Sequence, residues 1–573
     1  MRAKRGGHWT PIGYREVAEQ VQDFSLGLLE LGVRRGDRVA ILSENRPEWA
    51  ITDYACLAAR AADVPIYPTL PARQAEYILR DSGAVAVVVS TAQLEKVRSV
   101  RTRLPGLAHV IGLDPETAGP GVLSFGAVLA RGRAARDRHP EWHDLALNAA
   151  PDDLATLIYT SGTTGDPKGV MLSHGNIASN VTTCVDLFSF TAEDECLSFL
   201  PLSHIFERMF GHYCMFHAGV VINYAESIDA VPANMVEIRP QLMASVPRLY
   251  EKIYARVLDS VRSSSPLRQR IFAWGRRVGE RWAELAIEKR PVPAGLQAQK
   301  LLADRLVFAK LRKRTGGRIR FFISGGAPLS PDIARFFYAA GLPVLQGYGL
   351  TETSPVMAVN TFQHHRLGTV GKAIPDVRIR IAPDGEIVTR GPNVMCGYFN
   401  KPEATAEAID EEGWFHTGDI GMLDADGYLS ITDRKKDLIV TAGGKNIAPQ
   451  PIENLTKSSK FVATAVMIGD RRPFPVMLVV PNATQVKGWA NHKGLPDGDL
   501  EHLLSLPEVR QKIEREVRMT LRDLAQYEMP KKLLLLARDF TLESGELTPT
   551  LKVRRRIVEE RHRAAIEALY LES

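Results

Sequence analysis

Two hydrophobic periods alternate along the first half of the chain, and that alternation restricts the fold more than any other feature. Val17, Val21, Phe24, Leu28 and Leu31 recur at helical spacing, with Gly32 as a natural stop. A short apolar run follows, Arg38-Val39-Ala40-Ile41-Leu42, which reads as a buried strand, and Ala84 to Val89 repeats the theme. Strand and helix patterns in alternation argue for a mostly parallel sheet covered by helices. At 573 residues the chain can bury a large core and should form more than one domain.

Later segments change character. From about Ser263 to Arg314 the chain is rich in Arg, Lys, Ala and Leu and reads as surface helices, interrupted near Pro291 and Pro293. From about Arg378 it becomes β-rich. Ile379 to Ile381 and Ile387 to Thr389 flank Asp384-Gly385, and a second hairpin signal, Asp426-Gly427, precedes Tyr428 to Thr432. Asp433-Arg434-Lys435-Lys436-Asp437 is a polar break between two apolar strands, and so a candidate linker. The net charge of +6 is small for this length and reads as a solvated surface rather than a nucleic-acid footprint. Basic residues do gather at Lys552-Val553-Arg554-Arg555-Arg556. The five cysteines form no CxxC pair, which argues against a disulfide framework or zinc site and for a reducing compartment. The basic N-terminus lacks the apolar stretch of a signal peptide, and no run of 18 apolar residues is present to span a membrane.

The sharpest local signal is Tyr159-Thr160-Ser161-Gly162-Thr163-Thr164-Gly165-Asp166-Pro167-Lys168-Gly169-Val170, after an apolar run, Leu154 to Ile158, that reads as a strand. Small hydroxyl residues and glycines leave backbone N–H groups open. Such a loop can wrap a phosphate chain, and Lys168 adds positive charge. GxxxxGK[ST] is absent, so this is not a Walker loop.

Five more strings follow: Ser324-Gly325-Gly326-Ala327-Pro328, Gln346-Gly347-Tyr348-Gly349-Leu350-Thr351-Glu352-Thr353, Trp414-Phe415-His416-Thr417-Gly418-Asp419, Asp433 to Asp437, and Leu547-Thr548-Pro549-Thr550-Leu551-Lys552. In this order, over nearly the whole chain, the six resemble the motifs of the adenylate-forming superfamily: acyl-CoA synthetases, peptide-synthetase adenylation domains and beetle luciferases. The resemblance implies an α/β fold with a large N-terminal domain, residues 1–433, of mixed and parallel sheets, helices and a β-rich subdomain. A small mobile α+β domain, residues 434–573, would follow. It also implies ATP and Mg²⁺, with coenzyme A as co-substrate.

By the same resemblance, Thr160, Ser161, Gly162, Thr163, Thr164, Gly165 and Lys168 serve the phosphates, and Gly325, Gly326 and Ala327 wall the adenine pocket. Around Gly347, Tyr348 and Gly349, the aromatic ring can stack on adenine while glycine lets backbone approach. Thr351 would contact the α-phosphate, and Glu352, whose carboxylate can hold Mg²⁺, would share the metal with Thr160. Asp419 sits in a Thr-Gly-Asp turn where a carboxylate can accept both ribose hydroxyls, and Arg434 resembles the arginine that also reaches ribose and phosphates. Lys436 matches the hinge about which the small domain swings between two half-reactions. Gly443-Gly444-Lys445 resembles the loop that approaches the thiol nucleophile after the swing. Lys552 is the catalytic candidate: attack of a carboxylate on the α-phosphorus builds negative charge that a positioned ammonium stabilises.

In Pro201-Leu202-Ser203-His204-Ile205-Phe206-Glu207-Arg208 the resemblance places His204 near the acyl carboxylate. Some long-chain relatives carry a tryptophan gate where this chain has Arg208, so gating by this segment is in question. Val246-Pro247-Arg248-Leu249-Tyr250-Glu251-Lys252 looks like the long-chain branch. The expectation is therefore a long-chain fatty acid–CoA ligase with fatty acid, ATP and coenzyme A as ligands. The alternative is a fatty acyl-AMP ligase that loads a carrier protein; a non-catalytic nucleotide sensor is disfavoured, since Lys552 and Glu352 are both present. The chain is expected to be cytoplasmic, with peripheral membrane contact and a homodimer left open, and to bind no nucleic acid. Chain-length preference and pathway stay open.

Overall fold

The computed structural model describes residues 1–160, 166–442, 445–541, 544–548 and 553–571, with the backbone alone at Asn446. The chain divides into two compact units. The larger holds Met1–Arg380, Val388–Thr417 and Leu423–Ser430; the smaller holds Ile381–Ile387, Gly418–Met422 and Ile431–Ser573. No helix among the described residues is long and apolar enough to cross a membrane.

The larger unit is built on two sheets. In one, Ala62–Ile66, Arg38–Leu42, Ala86–Val89 and His109–Gly112 run parallel to their neighbours, and Leu154–Thr160 extends the sheet beside Ala62–Ile66. Lys168–Ser173 and Gly397–Tyr398 then add antiparallel strands. In the other, Val221–Tyr224, Glu195–Ser198, Leu242–Ser245, Phe321–Ser324 and Val344–Gly349 are parallel neighbours. Helices cover these strands on both faces, which is why Ala86-Val87-Val88-Val89 is apolar at every position and buried throughout. The expected first helix spans Tyr14–Glu30, with Val17, Phe24 and Leu28 buried, and the chain turns at Gly32, whose φ is +89°. The arginine-rich segment forms helices Pro247–Arg262, Pro266–Ile287 and Ala294–Ala303, the last continuing to Arg314, with the expected break over Pro291 and Pro293.

The β-rich region consists of Arg378–Ile381, Glu386–Arg390, Phe415–Leu423 and Leu429–Arg434, each contributing residues to both units. Both Asp-Gly signals mark turns: Gly385 and Gly427 have φ of +86° and +80°. In the smaller unit a three-stranded sheet of Val462–Ile468, Val476–Pro481 and Lys532–Leu535 carries helices on both faces. Strand alternation separates two cores: Met477 and Val479 pack with Ile513 and Val517, whereas Val476 and Leu478 pack with Val558 and Ile566. The polar break differs from its expectation. Asp433 and Arg434 complete the strand Leu429–Arg434, and the turn begins at Lys435. Asp433 belongs inside because its buried carboxylate accepts the backbone N–H of Gln450 at 3.0 Å and that of Arg434 at 2.7 Å. All five cysteines are free, and only Cys396 is exposed.

Candidate functional site

In the larger unit the motif residues stand where parallel strands end. Phe321–Ser324 runs into Gly325 to Ala327, Leu242–Ser245 into Val246 to Lys252, and Val344–Gly349 through Tyr348 into the short turn Thr351–Thr353. Glu195–Ser198 leads to the turn before His204. These four strands are neighbours, so their carboxyl ends share one edge, where open α/β sheets bind ligands.

Local packing explains the small residues. A Cβ at Gly325 would stand 3.2 Å from the ring of Phe206, so the segment of His204 lies against the candidate adenine wall. Leu329 donates its N–H to the side chain of Gln346 at 3.3 Å, tying that wall to the strand of Tyr348. Gly349 is irreplaceable: a Cβ there would lie 1.7 Å from the carbonyl oxygen of Pro355. His204 is half-buried. Its Nδ1 accepts the backbone N–H of Phe206 at 3.1 Å, so the neutral ring carries its proton on Nε2. The turn before it is clamped by Asn45, whose amide donates to Leu200 O at 2.6 Å and accepts from Leu202 N at 2.9 Å.

Thr160 and Lys168 pair directly across the hairpin formed by Leu154–Thr160 and Lys168–Ser173. Ser161, Gly162, Thr163, Thr164 and Gly165 between them lie outside the described residues, as do Gly443, Gly444 and Lys552. Pairing of Tyr398 with Val170 sets the Tyr398 ring under Lys168, whose Nζ is 4.8 Å from the ring centroid. The Tyr398 hydroxyl donates to Glu352 Oε1 at 2.9 Å. Burial and the Glu352 carboxylate raise the Tyr398 pKa, so its hydroxyl remains a donor at any physiological pH. Lys168, Tyr398 and Glu352 thus form one cluster. Sequence reasoning missed Tyr398 and Asn45; the aromatic beside Gly397 was the only available signal for the former.

Arg208 is no gate. It is wholly buried, with Nη2 2.5 Å from Asp53 and 2.8 Å from Asp63, and Nη1 donates to Thr156 at 2.8 Å. Burial raises the Asp63 pKa to about 7; burial also opposes ionisation of Asp53, but Arg208 and His212 outweigh it and hold that carboxyl low. Glu207 beside it is buried with no ion pair among the described residues, and that burial pushes its pKa to about 8.

The remaining described candidates belong to the smaller unit. Asp419 is nearly buried, and the Arg434 guanidinium Nε is 3.4 Å from its Oδ1. The preceding Gly418 donates its N–H to Glu386 at 2.8 Å. Lys435 pairs with Asp384 at 2.6 Å and Glu386 at 2.9 Å, and Lys436 follows on the exposed turn. Lys445 closes a hairpin loop, its N–H donated to Thr441 Oγ1 at 3.1 Å, with its ammonium 5.8 Å from the Tyr527 ring centroid. The structure therefore brings together the strand-end residues and the Lys168 cluster in one unit, and Asp419 with Arg434 in the other.

Residues 2–399 match the family described as AMP-binding enzyme, and residues 436–573 match the AMP-binding enzyme C-terminal domain. The chain is 37% identical to the long-chain-fatty-acid–CoA ligase FadD15 of Mycobacterium bovis, covering 98% of this chain and 93% of that protein. It is 34% identical to the peroxisomal long chain acyl-CoA synthetase 6 of Arabidopsis thaliana, over 99% and 82%. Among solved structures, ATP-bound MatB from Rhodopseudomonas palustris aligns with a TM-score of 0.70 at 25% identity, covering 97% of this chain and 94% of that one.

Proposed function

Because the chain belongs to the AMP-binding enzyme family, we infer that it is a long-chain fatty acid–CoA ligase, an ATP-dependent acid–thiol ligase that forms AMP. The fatty carboxylate attacks the α-phosphorus of ATP and pyrophosphate leaves. The thiol of coenzyme A, giving up its proton, then attacks the acyl carbonyl and AMP leaves. The observation that carries the reading is the Lys168–Tyr398–Glu352 cluster in the same unit as the strand ends of His204, Gly325 to Ala327 and Tyr348.

Each residue's part follows from its chemistry. Tyr348 offers a ring for the adenine, with Gly325 to Ala327 and Gly347 to Gly349 leaving backbone open beside it. Lys168 supplies a point charge for the phosphates, together with the loop from Thr160 to Gly165, and Thr351 a hydroxyl for the α-phosphate. Glu352 and Thr160 offer oxygen donors, the kind Mg²⁺ takes alongside waters and phosphate oxygens, and the half-exposed Glu352 carboxylate is already oriented by Tyr398. A Mg²⁺ held there would neutralise phosphate charge during displacement. His204, protonated on Nε2, can donate to an oxygen of the acid. Asp419 and Arg434 take the ribose, Lys445 with Gly443 and Gly444 meets the thiol, and Lys436 is the hinge between residues 1–433 and 434–573. Lys552 stabilises the charge of the first step.

The test is coenzyme-A-dependent AMP release across unbranched acids of increasing length. Each buried methylene contributes about 0.8 kcal/mol, so activity should rise steeply from acetate toward palmitate. Acetate or benzoate outperforming palmitate at equal concentration would overturn the assignment.

A further inference from the structure

His204 is carried on a segment whose two ends are held in different ways. The chain leaves the strand Glu195–Ser198 and turns at Pro201, where His204 donates its N–H to Pro201 O at 2.9 Å. One helical turn later Arg208 donates its N–H to His204 O at 3.1 Å. The histidine is thus the last residue before the helical stretch that continues through Glu207–Cys214. Its ring is tied to this backbone, because Nδ1 accepts the N–H of Phe206. Whatever fixes the backbone of the turn therefore fixes the direction of Nε2.

The exit is held by charge. The Arg208 guanidinium is wholly buried and forks onto Asp53, with Nη2 2.5 Å from Oδ1 and Nε 3.3 Å from Oδ2. Nη2 also reaches Asp63 and Nη1 reaches Thr156, each at 2.8 Å. These partners come from the helix Pro47–Ala58 and the strands Ala62–Ile66 and Leu154–Thr160. Arg208 cannot slide without leaving buried carboxylates unpaired, which is costly. The exit is a fixed point.

The entry is held by a side chain that can be changed. Asn45 stands between the strand Arg38–Leu42 and the same helix that carries Asp53. Its amide donates to Leu200 O at 2.6 Å and accepts the N–H of Leu202 at 2.9 Å. The two bonds straddle Pro201, which has no N–H of its own to anchor it. A primary amide offers a donor and an acceptor side by side. A carboxylate would still accept from Leu202 but would set negative charge against Leu200 O, and alanine would offer neither group. Leu202 and Ile205 are buried and keep the segment in the core. Apolar burial is non-directional, so it does not set the register of the turn as paired hydrogen bonds do. Asn45 is only half-buried, so the groups its loss uncovers lie near water.

We propose that Asn45 is a positioning residue for adenylation: by holding Leu200 and Leu202 it sets the turn, and through it the direction in which His204 Nε2 meets the fatty carboxylate. The inference rests on the ligase reading and adds to it a residue outside the six motifs. The experiment is a double-mutant cycle on pyrophosphate release from ATP and palmitate, with wild type, Asn45→Ala, His204→Ala and the double variant. Asn45→Ala should lower kcat about 10-fold, the scale of loss from a slightly misplaced group. The KM for ATP should stay within about twofold. In the His204→Ala background the same change should cost less than about twofold, since no ring is left to aim. Should Asn45→Ala melt early, Asn45→Asp, which keeps the size and the acceptor, completes the same cycle. Equal fold losses in the two backgrounds overturn the role, and so does full activity in Asn45→Ala or in His204→Ala. A second readout needs no substrate. Backbone hydrogen exchange across residues 200–208 should quicken in Asn45→Ala at an unchanged melting temperature, and unchanged exchange overturns the clamp whatever acid the enzyme takes. No pyrophosphate release by the wild type from any acid, with quickened exchange in the variant, overturns the ligase reading and this role with it. Normal wild-type release with equal losses in the cycle overturns the positioning role alone.

Discussion

Tyr398 shows how one side chain can serve two neighbours by different means. Its ring faces the Lys168 ammonium, and its O–H holds one oxygen of Glu352. Phenylalanine would keep the ring and delete the donor. A hydrogen bond to a charged group is worth about 1.5–3 kcal/mol, so Tyr398→Phe should raise the Mg²⁺ concentration needed for half-maximal pyrophosphate release about 10-fold, with melting temperature nearly unchanged. An unshifted Mg²⁺ curve would remove Tyr398 from the positioning of Glu352. Glu207 makes a prediction on stability instead. Its carboxyl titrates near 4.5 unfolded and near 8 when buried. Between those values the folded chain holds the extra proton, so stability falls as pH rises through that window. Glu207→Gln removes this titration, and its stability relative to wild type should grow by several kcal/mol from about pH 5 to about pH 8. Urea unfolding at both ends of the range measures it. Neither residue stood out in the sequence. Tyr398 acquires its role from a strand register that joins distant parts of the chain, and Glu207 from the burial of its turn.

At the level of elements, what was legible followed local periodicity. The first helix, the strand Arg38–Leu42 and both Asp-Gly turns are encoded within a few residues, and they form where expected. Asp433 and Arg434 misled because polarity was taken for a loop, whereas Asp433 is polar in order to satisfy two buried backbone N–H groups. Arg208 put gating by its segment in question, but its actual role was not legible, because its partners Asp53 and Asp63 come from another helix and strand. The polar segment still supports a test. The strand runs through Arg434, Lys435 pairs with Asp384 and Glu386, and Lys436, the proposed hinge, follows on the turn. Proline fixes φ near −65°. Lys436→Pro should therefore still form acyl-AMP, at a rate within about threefold of wild type, while thioester formation falls about 10-fold or more. Equal loss of both half-reactions would mean general damage rather than a restricted hinge.

For the whole molecule, the separation into two units sets the strongest demand on the mechanism. Lys552 belongs to the smaller unit's stretch of chain, whereas Thr351, Glu352 and His204 belong to the larger. If the smaller unit delivers Lys552 to the α-phosphate for adenylation and then turns to bring Lys445 toward the thiol, the lysine serves one step only. A preorganised electrostatic donor is typically worth 10²–10³-fold. Lys552→Ala should accordingly slow acyl-AMP formation by roughly that factor. The second half-reaction, started from supplied acyl-AMP and coenzyme A, should run at close to the wild-type rate. Both steps are measured on one preparation, with thermal melting as the folding control. Near-normal adenylation would remove Lys552 from the first step. Equal loss in the two steps would require a fixed lysine at a single site, because only a group that stays in place can contribute equally to the departure of pyrophosphate and of AMP.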